Sequence, residues 1–129
     1  DPHHLDQLNV KQAWTKTRGS SNVIVATIDT GVDYTHPDLV KSFTGYGWMD
    51  MASARGKQAK PFDPHGHGTH TMGTIVGRFT GTAPGVRWMT ARACTEDGCL
   101  QSDLTAAAQF VLCGGDHLKC ERGAWVVSN

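Results

Sequence analysis

The sequence lacks several features that would assign it to a class at once. None of its apolar runs approaches the roughly 18 residues that a membrane-spanning helix needs. It has no net charge, because 12 Lys and Arg residues balance 12 Asp and Glu residues. We therefore expect neither nucleic acid nor a membrane as a partner. The polar start Asp1–His4 has no apolar segment of a signal peptide, so we expect that any export signal has already been removed. Internal repeats and low-complexity segments are also absent.

Cysteine is scarce, but its four residues form two local pairs in the sequence: Cys94 with Cys99, and Cys113 with Cys120. An even count is typical of an oxidising compartment, so we expect an extracellular, secreted protein. Several connectivities are open to four cysteines, and the sequence alone does not choose between them. We favour the two local pairs as disulfides, because each closes a short loop with Gly or polar residues inside it. The alternative is four free thiols in a cytosolic protein. A zinc site is less favoured, since no CxxC spacing occurs.

Short apolar runs separated by turn residues predict alternating strands and helices. The run Val23–Ile28 is typical of a strand buried on both faces of a parallel sheet. Residues 52–64 are polar and predict a surface loop. Further strands are predicted over 43–51, over 86–91 and from 124. A short helix is predicted over 8–16 and another helix over 67–76, ending at Gly77. A last helix is predicted from an N-cap at Ser102 to Cys113, and its apolar side consists of Leu104, Ala107, Ala108, Val111 and Leu112. This alternation indicates βαβ units around a parallel sheet, and hence an α/β fold.

The last predicted strand, residues 124–127, lies at the end of the sequence. A buried strand needs a neighbour on each side and a connection after it. We therefore expect that residues 1–129 are the N-terminal part of a domain that continues. A natural C-terminal edge strand is the alternative.

Asp29 is the first residue that could carry chemistry. It directly follows the predicted buried strand and precedes Thr30 and Gly31. Ligand sites in open α/β sheets lie at the carboxyl ends of strands. An acid at this position is half-buried and well placed to orient a neighbouring base. An aspartate that caps the following turn is an equally good interpretation.

The second candidate is His67, which lies in the segment HGHGTH at the start of a predicted helix. The glycines on both sides let other backbone approach closely. The positive end of the helix dipole disfavours a protonated imidazole, so we expect a neutral His67 that acts as a base near pH 7. His65 and His70 also suggest metal ligands, but the spacing and glutamate of the HExxH zinc motif are missing, and we predict no metal here. A loop position for His65 and a packed helix position for His70 are the alternative.

Together these segments resemble the subtilisin-like serine proteases, or subtilases (peptidase family S8). The segments are VIVATIDTGVDYTHPDL, then HGHGTHTMGTIVG, then GTAPGV, and the resemblance spans roughly residues 23–127. DTG alone also occurs in aspartic proteases, whereas DTG followed by HGTH at this distance is specific. Around HGTHTMGT, GTAPGV and AWVVSN, the sequence is most similar to bacillopeptidase F-like members.

The resemblance implies a three-layer fold, incomplete over residues 1–129, and a serine endopeptidase that uses a Ser-His-Asp triad. Asp29 matches the acid that orients the imidazole and stabilises its cation. His67 matches the base that takes the serine proton and returns it to the leaving amine. The segment that matches the family's substrate-pairing edge consists of Gly98, Cys99, Leu100 and Gln101. The G-T-S-x-A motif of the serine and the oxyanion-hole asparagine are absent. The resemblance places both in a missing C-terminal part, in cis or as a second chain.

Three departures from the family pattern limit what the resemblance implies. Thr71 and Met72 replace the commoner small residues after HGTH. Only Arg78–Gly81 separate the predicted helix from GTAPG, where many subtilases have a longer calcium-binding loop. That calcium site is therefore not carried over, and Asp38, which matches one of its ligands, is interpreted as a turn residue. Calcium elsewhere in a full domain stays open, and no other cofactor is expected.

Three functions are consistent with these residues. The first is a secreted endopeptidase acting on peptide or protein substrates, of which this chain alone is inactive because it lacks a nucleophile. The second is a catalytically inactive fragment or pseudoprotease that acts as a binding module. The third is a metal protein whose ligands come from His65, His67, His70 or an adjacent acid.

Overall fold

A parallel β-sheet forms the centre of the computed structural model, which describes residues 3–53, 60–115 and 120–129. Its four strands are β1 (Ile24–Asp29), β2 (Phe43–Asp50), β3 (Arg87–Arg92) and β6 (Val126–Ser128), in the order β2-β3-β1-β6. A separate antiparallel ribbon joins β4 (Cys94–Thr95) to β5 (Gly98–Cys99). The helices are α1 (His3–Gln7), α2 (Val10–Ala13), α3 (His67–Val76) and α4 (Gln101–Cys113), with short 3-10 helices at Val40–Ser42 and Cys120–Arg122.

Side chains of β1 alternate between two hydrophobic cores, because successive residues of a strand point to opposite faces of the sheet. One core joins Ile24, Ala26 and Ile28 to Met89 of β3 and Phe110 of α4. The other joins Val25 of β1 and Trp88 of β3 to Met72 and Val76 of α3. Helices therefore cover both faces of the sheet, and the predicted three-layer α/β fold is confirmed.

The carboxyl ends of three strands are level with one another. Asp29 of β1 and Asp50 of β2 are both register partners of Arg92 on β3. Arg92 Nη1 lies 3.1 Å from Asp50 Oδ1, and both side chains are buried. The guanidinium of Arg92 is thus paired with Asp50, which leaves the carboxylate of Asp29 for a partner on another element.

The short helix predicted over residues 8–16 is present but shorter, as α2 at Val10–Ala13. Two short helices, α1 and α2, flank a break at Asn9, whose φ of 54° is left-handed. Leu5 and Val10 are buried, whereas Leu8 is 69% exposed. Burial of the residues on either side of the break outweighs the helical spacing of Leu8 with Ala13 and Trp14.

Helix α4 also departs from its prediction in two respects. Leu100, rather than Ser102, occupies the N-cap position, and no side chain caps the helix there. Ala108 and Leu112, which were predicted on the apolar side, are exposed, whereas Phe110 is buried. Phe110 lies three residues after the buried Ala107, so both side chains are on the same face of the helix. This face is the one that packs on the sheet, and Leu112 lies outside it.

The remaining elements lie close to their predicted positions. Strands β1 and β3 begin and end one residue later than predicted, β2 ends one residue earlier, and β6 begins two residues later. Helix α3 begins and ends as predicted. The predicted loop over 52–64 has no helix or strand in its described residues, and 54–59 lie outside them. The structure contains both favoured disulfides, Cys94–Cys99 and Cys113–Cys120. No helix among the described residues has the length and apolarity to cross a bilayer.

Candidate active site

Asp29 and His67, which lie 38 positions apart in the sequence, are hydrogen-bonded to each other. Strand β1 ends at Asp29, helix α3 begins at His67, and the two elements pack together. The Nδ1 atom of His67 lies 2.8 Å from Asp29 Oδ1 and 3.0 Å from Oδ2. The Asp29 side chain is only 15% exposed, whereas that of His67 is 58% exposed. Because a carboxylate holds the proton on Nδ1, the neutral ring keeps Nε2 free to accept a proton from a nucleophile.

The pKa of His67 is raised above its ordinary value of 6.5. The hydrogen bond that the ring donates to Asp29 is the largest cause, followed by the negative charge of the same carboxylate and, more weakly, that of Asp63. Partial desolvation acts in the opposite direction. Our expectation that the helix dipole keeps His67 neutral is therefore incomplete, because the adjacent carboxylate favours the imidazolium.

A second acid, Asp63, organises the backbone around the pair. Its Oδ1 accepts hydrogen bonds from the Thr30 hydroxyl at 2.9 Å and from the amides of His65 and Gly66. Its Oδ2 accepts from the Thr69 amide at 2.8 Å and from the Thr69 hydroxyl at 2.6 Å. Since Thr69 is the third residue of α3, Asp63 caps an amide in the first turn of the helix that begins with His67.

Thr30 connects this cap to Asp29. Its amide donates to Asp29 Oδ1 at 2.6 Å, and its hydroxyl accepts from the amide of Gly68 at 2.9 Å while donating to Asp63. The segment after β1 and the first turn of α3 are therefore joined through Thr30 and Asp63. The distance between Asp29 and His67 is fixed by this network as well as by their own bond.

The pKa of Asp63 is lowered. Burial alone would raise the pKa of this carboxyl, but hydrogen bonds from Thr69, Gly66 and Thr30 outweigh that effect. Asp63 is therefore held as an anion near the positive end of α3, where negative charge is stabilising. The sequence interpretation missed Asp63 and the role of Thr30. The available signal was an aspartate shortly before a predicted helix start.

Glycines let α3 approach β1 closely. A side chain at Gly68 would collide with the carbonyl oxygen of Gly31, and one at Gly31 would collide with the carbonyl of Phe62. Gly66 serves another purpose, because it has no close neighbour but adopts a left-handed φ of 99° at the N-cap. The predicted close approach therefore applies to Gly68, whereas Gly66 is explained by its backbone conformation.

The two departures after HGTH have different surroundings. The hydroxyl of Thr71 donates to the Gly68 carbonyl at 2.9 Å and lies 3.4 Å from Asp29 Oδ2. Met72 is fully buried against the sheet. Thr71 thus adds a weak polar contact to the carboxylate, and Met72 belongs to the core.

The two other histidines of the segment HGHGTH, His65 and His70, have different surroundings. His65 lies in the loop before α3, and its Nδ1 accepts from the His67 amide at 3.3 Å. His70 is exposed on α3 rather than packed. Within residues 3–53, 60–115 and 120–129, no three His, Cys, Asp or Glu side chains lie close enough together to hold a metal ion. Asp38 lies in a turn, and its carbonyl oxygen accepts from the Arg78 amide.

The segment Gly98–Gln101 follows the turn of the ribbon, and that turn borders a cavity next to this site. Gly98 and Cys99 form β5, Leu100 is the N-cap of α4, Gln101 is its first residue, and all four are exposed. A cavity of about 230 Å³ is lined by Thr30, Pro64 and His65 on one side and by Cys94–Asp97 on the other. The ribbon therefore faces the two segments that carry Asp29 and His67.

Comparison with known proteins agrees with this geometry. The family model described as the subtilase family matches residues 20–129. The chain is 33% identical to bacillopeptidase F of Bacillus subtilis (strain 168) over 131 aligned positions, which cover 88% of this chain and 9% of that protein. It is 40% identical to the thermophilic serine proteinase of Bacillus sp. (strain AK1), over 67% of this chain and 22% of that protein. The chain thus spans a small part of these relatives.

Solved structures that resemble this chain also include proteases. A lanthipeptide protease superposes with a TM-score of 0.64 at 31% identity, over 80% of this chain and 29% of that one. A prenylagaramide maturation protease superposes with a TM-score of 0.59 at 25% identity, over 82% and 36%. Further relatives from Bacillus subtilis include the minor extracellular protease Vpr and the major intracellular serine protease.

Proposed function

Because the chain belongs to the subtilase family, we propose that Asp29 and His67 are the acid and base of a Ser-His-Asp triad that hydrolyses peptide bonds in peptide or protein substrates. The observation that carries this proposal is the bond between Asp29 and the Nδ1 atom of His67, made where strand β1 ends and α3 begins. The chemistry needs this arrangement, in which one ring nitrogen is held by a carboxylate and the other is free.

In the proposed reaction, a serine hydroxyl attacks the carbonyl carbon of the scissile bond while His67 Nε2 takes the hydroxyl proton. Asp29 stabilises the resulting imidazolium, which then gives the proton to the leaving amine as the C–N bond breaks. Water, deprotonated by the same imidazole, hydrolyses the acyl-serine and regenerates the hydroxyl. Asp63 and Thr30 keep the acid and the base in register throughout.

The nucleophile is proposed to lie outside these 129 residues, in a C-terminal part of the same polypeptide or in a second chain. The sequence contains no G-T-S-x-A segment. In the part of the chain that the structure describes, the His67 ring is hydrogen-bonded to Asp29 alone. We further propose that the edge formed by Gly98, Cys99, Leu100 and Gln101 pairs with the main chain of an extended substrate.

An extracellular location is part of the proposal. Its support is the pair of disulfides, Cys94–Cys99 and Cys113–Cys120, which persist in oxidising compartments. The relatives include proteases named as extracellular and one named as intracellular, so the disulfides carry this part of the argument.

The test uses a fluorophosphonate probe, which labels a serine only where a neighbouring base activates it. The complete polypeptide that contains residues 1–129 is incubated with the probe, and the labelled peptide is identified by mass spectrometry. We expect labelling on a serine outside residues 1–129. In the same polypeptide, His67→Ala should lower the labelling rate by on the order of a thousandfold, and Asp29→Asn should also impair it severely.

His70→Ala is the matched control, since His70 lies on the same helix but is exposed and makes no bond to Asp29. Its labelling should match that of the unaltered protein. Labelling that survives His67→Ala would reject the assignment of the base. A correctly folded polypeptide that no probe labels, but that still binds peptides, would instead support the pseudoprotease alternative.

A further inference from the structure

The β4–β5 ribbon is a small element with little non-covalent support. It has only two ladder pairs, Cys94 with Cys99 and Thr95 with Gly98. An isolated two-stranded ribbon is marginally stable in water even when it is longer. Apart from the ladder, the Asp97 amide donates a hydrogen bond to the Thr95 hydroxyl across this turn at 3.2 Å.

Tertiary packing adds little, because a cavity lies on each side of the ribbon. The cavity of about 230 Å³ separates it from Thr30, Pro64 and His65. Another, of about 320 Å³, is lined by Gly98–Leu100 together with Ala52, Ala93 and Asp103. Cys94 is buried, but the residues from Glu96 to Leu100 are exposed. The position of β5 therefore depends strongly on its link to β4.

That link is covalent. The Cys94–Cys99 disulfide joins the two residues that face each other across the ribbon. Cys94 follows β3 after a single residue, and Cys99 precedes the N-cap of α4. The bond therefore attaches the exposed strand to the end of the sheet at which Asp29 lies.

The outer edge of β5 is open. Among the described residues, β5 pairs with β4 only, so its other edge presents backbone groups without a strand partner. A substrate strand that adds there must find those groups in an extended arrangement. Each residue that becomes ordered only on binding adds an entropic cost, which weakens the affinity for the substrate.

We infer that the Cys94–Cys99 disulfide is a positioning element for substrate, which holds Gly98–Leu100 extended behind the ribbon turn that borders Thr30 and His65, so that a peptide main chain can pair with it. This inference rests on the proposed function. Its effect is on the affinity for extended substrates, while the proton transfers of Asp29 and His67 proceed without it.

The test compares Cys94→Ser/Cys99→Ser with Cys113→Ser/Cys120→Ser in the complete polypeptide. Both disulfides close short loops, with sequence separations of 5 and 7, but the second lies at the far end of α4. Two substrates are used, one with four residues before the scissile bond and one ester of a single acylated residue. If the serine pair does not fold, Cys94→Val/Cys99→Val replaces it, because valine favours strands without forming the bond.

The expected result is a KM for the four-residue substrate about tenfold higher in the Cys94/Cys99 variant, with kcat within about twofold. The KM for the single-residue ester should not change. The Cys113/Cys120 variant should keep both KM values, whatever its loss of thermal stability. Equal KM effects in the two variants, or an equal effect on both substrates, would mean that the Cys94–Cys99 disulfide only stabilises the fold. Either result would overturn the inference.

Failure of the proposed function has a different signature. In that case, the unaltered polypeptide would show no His67-dependent turnover of either substrate. Both the proposed function and the inference would then be rejected. Turnover that depends on His67, together with an unchanged KM for the long substrate, would overturn the inference alone.

Discussion

The imidazole of His67 is subject to opposing influences, of which the Asp29 carboxylate is the strongest. The bond and the charge of Asp29 raise the pKa of His67, while partial desolvation lowers it. Because the folded-state pKa lies above the unfolded value of about 6.5, the ion pair stabilises the fold most fully below that pH. This stabilisation is lost as the pH rises through the folded-state pKa.

Substitution of Asp29 tests this balance. In Asp29→Asn, we expect the pKa of His67 to fall towards 6.5, because the amide is neutral and accepts a weaker hydrogen bond. The measurement is an NMR titration of the imidazole protons of the 129-residue chain. Asp33→Asn is the control, since its carboxylate accepts from Thr35 rather than from His67. An unchanged or higher pKa in Asp29→Asn would contradict this account.

Asp63 offers a second prediction at this scale. In Asp63→Asn, the amide group cannot accept from both Thr69 and Thr30 as the carboxylate does, so we expect a loss of about 1–2 kcal/mol in the free energy of unfolding. Urea unfolding at pH 7 measures it. The control is Asp97→Asn in the exposed turn of the ribbon.

The same carboxyl predicts a pH dependence. Since the folded-state pKa of Asp63 is lowered below 3.8, its contribution is present above that value and is lost as the pH falls through the folded-state pKa. The difference in stability between the unaltered chain and Asp63→Asn should therefore shrink in strongly acidic solution. A difference that stays constant with pH would show that the charge of Asp63 plays no part.

At the scale of elements, the packing of α3 against the segment after β1 depends on one missing side chain. Gly68→Ala should destabilise the fold by about 1–3 kcal/mol, because its methyl group meets the rigid backbone carbonyl of Gly31. Gly73→Ala, on the same helix, meets only the Thr80 hydroxyl at 3.9 Å. It should be neutral or stabilise the helix by up to about 1 kcal/mol. Chemical denaturation of both variants gives the comparison, and equal effects would refute it.

The elements with a sustained apolar pattern could be predicted from the sequence. Strand β1 has a continuous apolar run, and α3 has apolar residues at helical spacing before Gly77. The predicted ends of both elements therefore lie within one residue of the observed ends. The break at Asn9 could not be predicted, because no local pattern shows that Leu5 and Val10 are buried while Leu8 is exposed. Strands β4 and β5 have two residues each, too few to show an alternation.

For the candidate site, too, the sequence predicted local features but not the contacts between distant segments. The strand end at Asp29 and the helix start at His67 are local signals, but each alone was ambiguous, and the resemblance to the subtilases singled out the pair. The role of Asp63 was not predictable, because its bonds to Thr30 and Thr69 join segments that only the folded chain brings together. The raised pKa of His67 likewise required the actual distance to Asp29.

At the scale of the whole molecule, one edge of the sheet is apolar and exposed. Trp125 is 74% exposed, and Val126 and Val127 of β6 are about half exposed. In the described part of the chain, β6 pairs with β1 alone. Exposed apolar strand edges promote association between chains.

We therefore expect the 129-residue chain to self-associate in solution. Val127→Lys should weaken this association by about tenfold, because it places a charge on the exposed edge. Phe79→Lys removes a similarly exposed apolar side chain elsewhere and should have little effect. Light scattering over a range of concentrations measures the association constant. A monomer at all concentrations, or equal effects of the two substitutions, would contradict the prediction.

The network of Thr30, Asp63 and Thr69 confines the acid and base to one continuous stretch of the chain, from Asp29 to the first turn of α3. A cut after Gly77 would leave this stretch whole while dividing the polypeptide. Under the proposed function, such a cut would put Asp29 and His67 on one fragment and the nucleophile on the other, which is the division that a split reporter needs. The signal would then record how often two fused partners meet.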